Sequence, residues 1–176
     1  DKEFQFMSNS QGYAYHIEKK SIRLLTYKNA FNVNTPQLFS DGSGYIAETE
    51  KGLAFDFNGN SAEIKSDIDG IVIGKTVHRS EFGISGGLFP SPSYALLAYY
   101  EMDERMVTQY PLYKLADTPA TTNMIRYPTA GAKSHHVHVK SKELRNGSDA
   151  ITIKTTGDPE QYLTNVSWSA DEKYVL

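Results

Sequence analysis

The chain has no cysteine. This absence excludes a disulfide scaffold, a cysteine nucleophile, cysteine-ligated zinc and iron–sulfur clusters. A basic excess is also missing, because 18 Lys and Arg residues stand against 21 Asp and Glu residues, for a net charge of −3. Nucleic-acid binders usually carry a positive excess, so we expect no nucleic-acid partner.

Long apolar runs are missing too. The longest is Ala95–Tyr100, far short of the roughly 18 residues of a membrane helix, and we therefore expect no membrane span. The opening residues Asp1-Lys2-Glu3 are charged, so no signal peptide is visible. The chain is expected to be cytosolic, the mature part of an exported protein, or an excised piece of a longer one.

Aromatic residues are abundant in a chain of one-domain size. The 176 residues include 12 Tyr and 8 Phe, which favour half-buried β-strands. Alternation of apolar and polar residues predicts strands near residues 12–18, 22–27, 53–57 and 150–154. Turn signals such as Asn58-Gly59 and Asn146-Gly147 separate them. The exception is Tyr100–Val107, whose pattern is helix-like.

An internal repeat refines this all-β prediction. The segments Phe39–Ala47, Pro90–Ala98 and Trp168–Leu176 align without gaps, and their starts lie 51 and 78 residues apart. In each, an apolar or aromatic strand follows a polar turn. A period of about 40 to 45 residues with four strands per unit is typical of β-propeller blades. Three unrelated hairpins with similar turns are the alternative.

The length of the chain then predicts an incomplete ring. At roughly 40 to 45 residues per blade, the chain makes about four four-stranded blades. The last repeat stops at Leu176, inside a strand that would lack its neighbour. We therefore interpret residues 1–176 as a truncated N-terminal portion of a propeller.

Three stretches carry a family resemblance. The first is Val77–Ile84, continuing through Pro90-Ser91-Pro92 to Leu97–Val107; the second is Tyr110-Pro111 with Arg126–Val137; Asp158–Trp168 extends the match. Together they resemble the propeller domain of dipeptidyl peptidase IV-type serine peptidases, especially bacterial ones of the Bacteroides kind. The resemblance is firm from about Gly44 to Leu176. Its most specific part is the Tyr-Pro-x-Ala-Gly-x-x-x-His segment that ends at His135.

The resemblance implies an eight-bladed propeller followed by an α/β-hydrolase domain. Such enzymes remove dipeptides from peptide N-termini, with Pro or Ala as the preferred second residue. The serine, aspartate and histidine of catalysis lie in the hydrolase domain, so no catalytic residue, metal or cofactor is expected in this chain. The implied partners are the substrate N-terminus and the missing hydrolase domain. A homodimer through the propeller is a further expectation. The implied location is the periplasm, or export more generally.

The resemblance also implies a substrate-binding residue. In the family, a Glu-Glu pair shortly before the Trp-Ser-Pro turn binds the free α-amine, for which a carboxylate is the natural partner. In this chain the register falls on Arg79 and Ser80, and Glu81 comes one residue later. Glu81 is the candidate amine contact. The alternative is that Glu81 pairs with Arg79 or Arg105 on the surface.

Two other motifs give weaker indications of a functional site. Gly83-Ile84-Ser85-Gly86-Gly87 matches the pattern of a nucleophile elbow, but Pro90 and Pro92 follow it where the motif requires a helix. We therefore interpret the Ser85 segment as a connection between strands. His135, His136 and His138 form a metal-like cluster, with His136 and His138 on one face of a strand; an ordinary strand start is the preferred interpretation.

These observations support one main function and two rivals. The main hypothesis is a non-catalytic propeller portion of a prolyl dipeptidyl peptidase-like enzyme that selects and gates peptide N-termini. The first rival is a propeller that binds partners without peptidase activity. The second is a small all-β protein complete in itself, with self-association to close the ring.

Overall fold

The computed structural model describes residues 2–8, 11–25, 31, 33 and 36–176. Over these ranges the regular secondary structure is almost entirely β-strand, and the predicted all-β class is confirmed. It contains, in the described ranges, no helix of the length and apolarity that crossing a membrane requires. The strands are β1 (Glu3–Ser8), β2 (Gln11–His16), β3 (Ser21–Leu25), β4 (Gln37–Leu38), β5 (Gly44–Glu48), β6 (Gly52–Phe57), β7 (Asn60–Lys65), β8 (Ile71–Ile73), β9 (Leu88–Pro90), β10 (Leu96–Asp103), β11 (Gln109–Lys114), β12 (Thr121–Arg126), β13 (His136–Glu143) and β14 (Ile151–Thr152).

The strands pair into antiparallel sheets in chain order. The first sheet is β1-β2-β3 and the second is β4-β5-β6-β7. The third has the order β14-β13-β10-β8, with β9 also paired to β10. Strands β11 and β12 form a separate hairpin, which the chain inserts between β10 and β13. The second sheet thus has the four-stranded format that the repeat predicts.

The third sheet keeps this format with one strand interrupted. β8 pairs with Glu101–Asp103 of β10, while β9 pairs with Leu97–Tyr99 of the same strand. The two short strands therefore lie end to end in one position, separated by residues 74–87, the β8–β9 loop. Both ends of this loop bond to Tyr100: Gly74 N–H donates to the Tyr100 carbonyl at 2.8 Å, and Tyr100 N–H donates to the Gly87 carbonyl at 3.0 Å.

The helix-like prediction for Tyr100–Val107 is wrong. Its first part is the end of β10, and a turn follows in which the Arg105 N–H donates to Asp103 Oδ1 at 3.0 Å. β10 is a central strand that pairs with β13 on one side and with β8 and β9 on the other. A strand buried on both faces has no period-2 alternation, so its sequence does not reveal the strand.

The two faces of the third sheet pack against different parts of the chain. Leu97 and Tyr99 of β10 pack in the core shared with the second sheet, and Ala98 and Tyr100 pack in a core shared with residues 163–175. Each large side chain that is fully buried in this way contributes about 1.5 to 3 kcal/mol to folding. The two apolar layers therefore hold the third sheet between the second sheet and the segment that follows it.

The three repeat turns share one backbone conformation, as the sequence predicts. The N–H groups of Phe39, Ser91 and Ser169 donate to the carbonyls of Gly44, Leu96 and Tyr174, respectively. The fourth residue of each turn has a left-handed φ: +78° at Gly42, +58° at Tyr94 and +58° at Glu172. The register differs from the ungapped alignment, since the first turn begins one residue early. The hydroxyls of Ser91 and Ser169 accept a turn N–H, and Phe39 has no oxygen to do so.

Neighbouring turns contact one another. The hydroxyls of Ser40 and Tyr94 share a hydrogen bond of 2.7 Å, and Ser93 Oγ donates to Glu172 Oε2 at 2.7 Å. The rings of Phe39 and Tyr94 stack with their centroids 4.4 Å apart. Successive sheets are thus tied side by side at the end where the turns lie.

Candidate functional site

The β8–β9 loop projects a short exposed segment from a buried base. Val77 and Ile84 are buried in the core between the third sheet and the following segment, while residues 79–83 between them are exposed. Three residues of this segment other than glycine have left-handed φ angles: +52° at Arg79, +63° at Ser80 and +53° at Phe82. Such angles cost free energy in residues other than glycine and are concentrated at functional sites. Glu81, between them, has an extended conformation.

Glu81 has a single side-chain partner in the described part of the chain. Its Oε2 accepts a hydrogen bond of 3.2 Å from the hydroxyl of Tyr162. The alternative pairing with Arg79 or Arg105 does not form: Arg105 pairs with Asp103 at 2.6 Å, and Arg79 donates to the backbone carbonyl of Arg126 at 2.9 Å. Glu81 thus presents a solvent-facing carboxylate with Oε1 available.

Two buried histidines lie beneath this carboxylate. His78 Nδ1 and His135 Nε2 are 2.8 Å apart and share a hydrogen bond, and the side chains are 3 % and 6 % exposed. Burial, assisted by the neighbouring His135, lowers the pKa of His78 to about 4. Burial also lowers the pKa of His135, with Arg79 acting in the same direction. The pair is therefore uncharged at neutral pH, and one ring donates to the other.

Tyr162 connects the histidines to Glu81. Its ring stacks on His78 with the centroids 4.1 Å apart, and it forms a T-shaped contact with the Phe82 ring, whose centroid is 5.0 Å away. The hydrogen bond to Glu81 raises the pKa of the Tyr162 phenol. Sequence reasoning missed Tyr162. The only signal was its place within Asp158–Trp168, one of the stretches that carries the family resemblance.

Arg79 joins the same loop to the β11–β12 hairpin. Its guanidinium lies 4.0 Å from the centre of the Tyr127 ring, in addition to its bond to the Arg126 carbonyl. Arg126 pairs with Asp69 at 2.5 Å. Burial raises the pKa of Glu104 beside it, although the Arg126 charge opposes this shift. The base of the hairpin is therefore anchored to the loop that carries Glu81.

The two weaker motifs lie in a loop and at the start of a strand. Ser85 lies in the β8–β9 loop and is followed by β9 rather than by a helix, so it has no nucleophile-elbow geometry. His136 and His138 face the side of β13 opposite the buried Val137 and Val139. In the described ranges no three histidine or carboxylate side chains converge in a way that could hold a metal ion.

The comparisons with known proteins agree with this architecture. Residues 55–176 match the model of the family described as the dipeptidyl peptidase IV N-terminal region. A protein of Tuber melanosporum assigned as dipeptidyl-aminopeptidase B is 29 % identical over 109 residues, which cover 54 % of this chain and 12 % of that protein.

Solved structures show the same relationship. A Bacteroides ovatus protein assigned as a dipeptidyl aminopeptidase IV is 33 % identical, with a TM-score of 0.78, over 99 % of this chain and 24 % of its own. Dipeptidyl peptidase 4 of Porphyromonas gingivalis shares the fold, with a TM-score of 0.70 and 18 % identity over 98 % of this chain and 26 % of its own. The predicted class, part of a β-propeller, is confirmed. The chain spans about a quarter of these relatives or less.

Proposed function

Because this chain belongs to the family of dipeptidyl peptidase IV N-terminal regions, we propose that it is the substrate-selecting propeller portion of a longer dipeptidyl peptidase. In this role it admits peptides and binds their free N-termini, and it performs no bond cleavage itself. The nucleophile and its partners belong to a hydrolase domain outside these 176 residues. The family match over residues 55–176 is the observation that carries the proposal.

Glu81 is the residue that we assign to the substrate ammonium. Its carboxylate is exposed, has no cationic partner in the described ranges and lies on a loop held in an unusual conformation. A substrate ammonium supplies the missing positive charge. A hydrogen bond to a charged group contributes about 1.5 to 3 kcal/mol. The single carboxylate would then bind the α-amine that a pair of glutamates binds in the family.

The test is Glu81→Gln in the full-length gene product. A chromogenic dipeptide substrate with a free N-terminus and proline second should lose about 10- to 150-fold in kcat/KM, which corresponds to one charge-assisted hydrogen bond. Arg79→Ala and Glu18→Gln are the controls. Glu18 is an exposed carboxylate that pairs with Lys2 at 2.6 Å, far along the chain from the loop. Equal small effects of all three variants would remove Glu81 from the site.

Full-length activity also separates the proposed function from its rival. If the purified gene product releases no dipeptide from any free N-terminal substrate, the chain is a binding propeller without peptidase activity. If it releases dipeptides and an N-acetylated substrate is not cleaved, the requirement for a free amine is established. The Glu81→Gln variant then shows which residue imposes that requirement.

We extend the proposal to a homodimer through the propeller. The β11–β12 hairpin exposes several large apolar side chains, including Leu112 at 45 %, Tyr113 at 69 % and Met124 at 50 %. Apolar surface on a projecting hairpin is stabilised when a second copy covers it. Analytical ultracentrifugation of the full-length protein should show a dimer, and Leu112→Lys with Met124→Lys should make it monomeric. A monomeric wild type would contradict this extension.

The proposed location is the periplasm. This rests on the family resemblance and on the bacterial source of the relatives in the structural comparison. Fractionation of the source cells with an antibody to the protein would test it. Recovery in the cytoplasmic fraction would contradict it.

A further inference from the structure

The Glu81 carboxylate lacks support from its own loop. The residues on either side of it are exposed. The two candidate cations, Arg79 and Arg105, bind the Arg126 carbonyl and Asp103 instead. An exposed glutamate can adopt several rotamers, and fixing one of them costs conformational entropy. A carboxylate that must meet a substrate ammonium in one place therefore needs an external contact to hold it.

Tyr162 supplies that contact from a distant part of the chain. Its hydroxyl reaches Glu81 Oε2 at 3.2 Å across 81 positions of sequence. The ring itself has two aromatic contacts, a stack on His78 with the centroids 4.1 Å apart and a T-shaped contact with Phe82 with the centroids 5.0 Å apart. A tyrosine ring has few rotatable bonds, so a ring held in this way fixes its hydroxyl in space.

The histidine pair gives the ring a rigid base. His78 is 3 % exposed, and its Nδ1 is bonded to His135 Nε2 at 2.8 Å, which fixes the plane of the imidazole. His135 immediately precedes β13, which pairs with β10 along its whole length. Through His135 the Tyr162 ring is tied to the third sheet, while His78 and Phe82 connect it to the β8–β9 loop.

We propose that Tyr162 is the positioning residue for Glu81: its hydroxyl holds Oε2 so that Oε1 is directed to the substrate ammonium, and the His78–His135 pair holds its ring. This inference rests on the proposed function of Glu81. Tyr162 does not touch the substrate; it acts through the carboxylate, and its loss should weaken binding of the amine without changing the bond-breaking step.

The experiment is a double-mutant cycle in the full-length protein. Tyr162→Phe retains the ring and both of its ring contacts, and removes only the hydroxyl. For the free-amine proline substrate we expect a loss of about 10-fold in kcat/KM, the lower end of the range for a hydrogen bond to a charged group, because the carboxylate itself remains. The loss should appear as a rise in KM, with kcat nearly constant. In the Glu81→Gln background, Tyr162→Phe should change kcat/KM by less than about twofold.

Three results distinguish the positioning role of Tyr162 from the proposed function of Glu81. If Glu81→Gln is costly and Tyr162→Phe is within twofold of wild type, the positioning role is refuted and the function of Glu81 stands. If both variants are costly but their effects multiply, Tyr162 acts independently of Glu81 and the inference is also refuted. If Glu81→Gln has no effect, the proposed function of Glu81 fails and the inference that rests on it fails too.

A matched control keeps a structural effect from being mistaken for positioning. Tyr174→Phe removes the hydroxyl of another tyrosine, 64 % exposed, in the third repeat turn. It should leave kcat, KM and the melting temperature at wild-type values. Tyr162→Phe should leave the melting temperature unchanged while raising KM. A fall in melting temperature with parallel losses of kcat and KM would assign Tyr162 a structural role and overturn the proposal.

Discussion

Acidification should destabilise the protein through the buried histidine pair. The pKa of His78 is about 4 in the folded chain, against 6.5 for an unperturbed histidine, chiefly because burial disfavours the imidazolium. Between these two values the unfolded chain binds a proton that the folded chain does not. The stability that His78 contributes is therefore complete above pH 6.5 and is lost as the pH falls toward 4.

The size of the effect follows from the two pKa values. From pH 7 to pH 5, linkage through His78 alone removes about 2 kcal/mol of unfolding free energy. The pKa of His135 is lowered as well, so it acts with the same sign. The surrounding charges partly oppose one another: Glu81 and Glu160 favour the protonated rings, and Arg79 and His136 disfavour them.

The assay is urea unfolding of the full-length protein at both pH values, for wild type and His78→Asn. Asparagine places its amide near the position of Nδ1 and cannot titrate. The difference between wild type and variant should therefore change by about 2 kcal/mol between pH 7 and pH 5. His138→Asn, at an exposed histidine on β13, is the control substitution. If the His78→Asn difference is the same at both pH values, His78 is not buried as an uncharged ring.

Three substitutions test the packing beneath the site. Leu97→Ala, at a fully buried position, should cost about 2 to 5 kcal/mol in urea unfolding, and a loss below 1 kcal/mol would contradict the shared core. Gly87→Ala places a Cβ 2.3 Å from the backbone carbonyl oxygen of Lys75 and should lower the melting temperature. Gly147→Ala, where a Cβ meets nothing within 4 Å, is its control and should not lower the melting temperature. Tyr100→Phe removes a 2.6 Å hydrogen bond to the Leu163 carbonyl; it should cost about 1 kcal/mol and speed hydrogen exchange at residues 161–166, and unchanged exchange would argue against this tie.

Most of the fold could be predicted because its signals are local. Alternation located β2, β3 and β6 to within a few residues, and Asn58-Gly59 located the turn between β6 and β7. The repeat predicted three turns of one conformation, which depends on neighbouring residues only. The end of β10, from Tyr100, escaped prediction because it is set by pairing with two neighbouring strands, which no local pattern records.

The candidate site was less predictable because it is assembled over long distances in the sequence. The family register led to Glu81. The His78–His135 contact spans 57 positions and the Tyr162–Glu81 contact spans 81, and neither leaves a pattern in the intervening sequence. The cluster of His135, His136 and His138 drew attention for metal binding. Its one buried member, His135, is hydrogen-bonded to His78 in the β8–β9 loop.

One strand residue explains why these distant segments meet. The backbone of Tyr100 bonds to Gly74 and Gly87, so it fixes both ends of the loop that carries Glu81. The hydroxyl of the same residue donates to the Leu163 carbonyl at 2.6 Å, next to Tyr162. The hydrogen bonds of Tyr100 therefore fix the segments that carry Glu81 and Tyr162 to the centre of β10. Sequence change in the exposed loop can alter what the site binds, while the position of the site depends on a buried strand that such change does not reach.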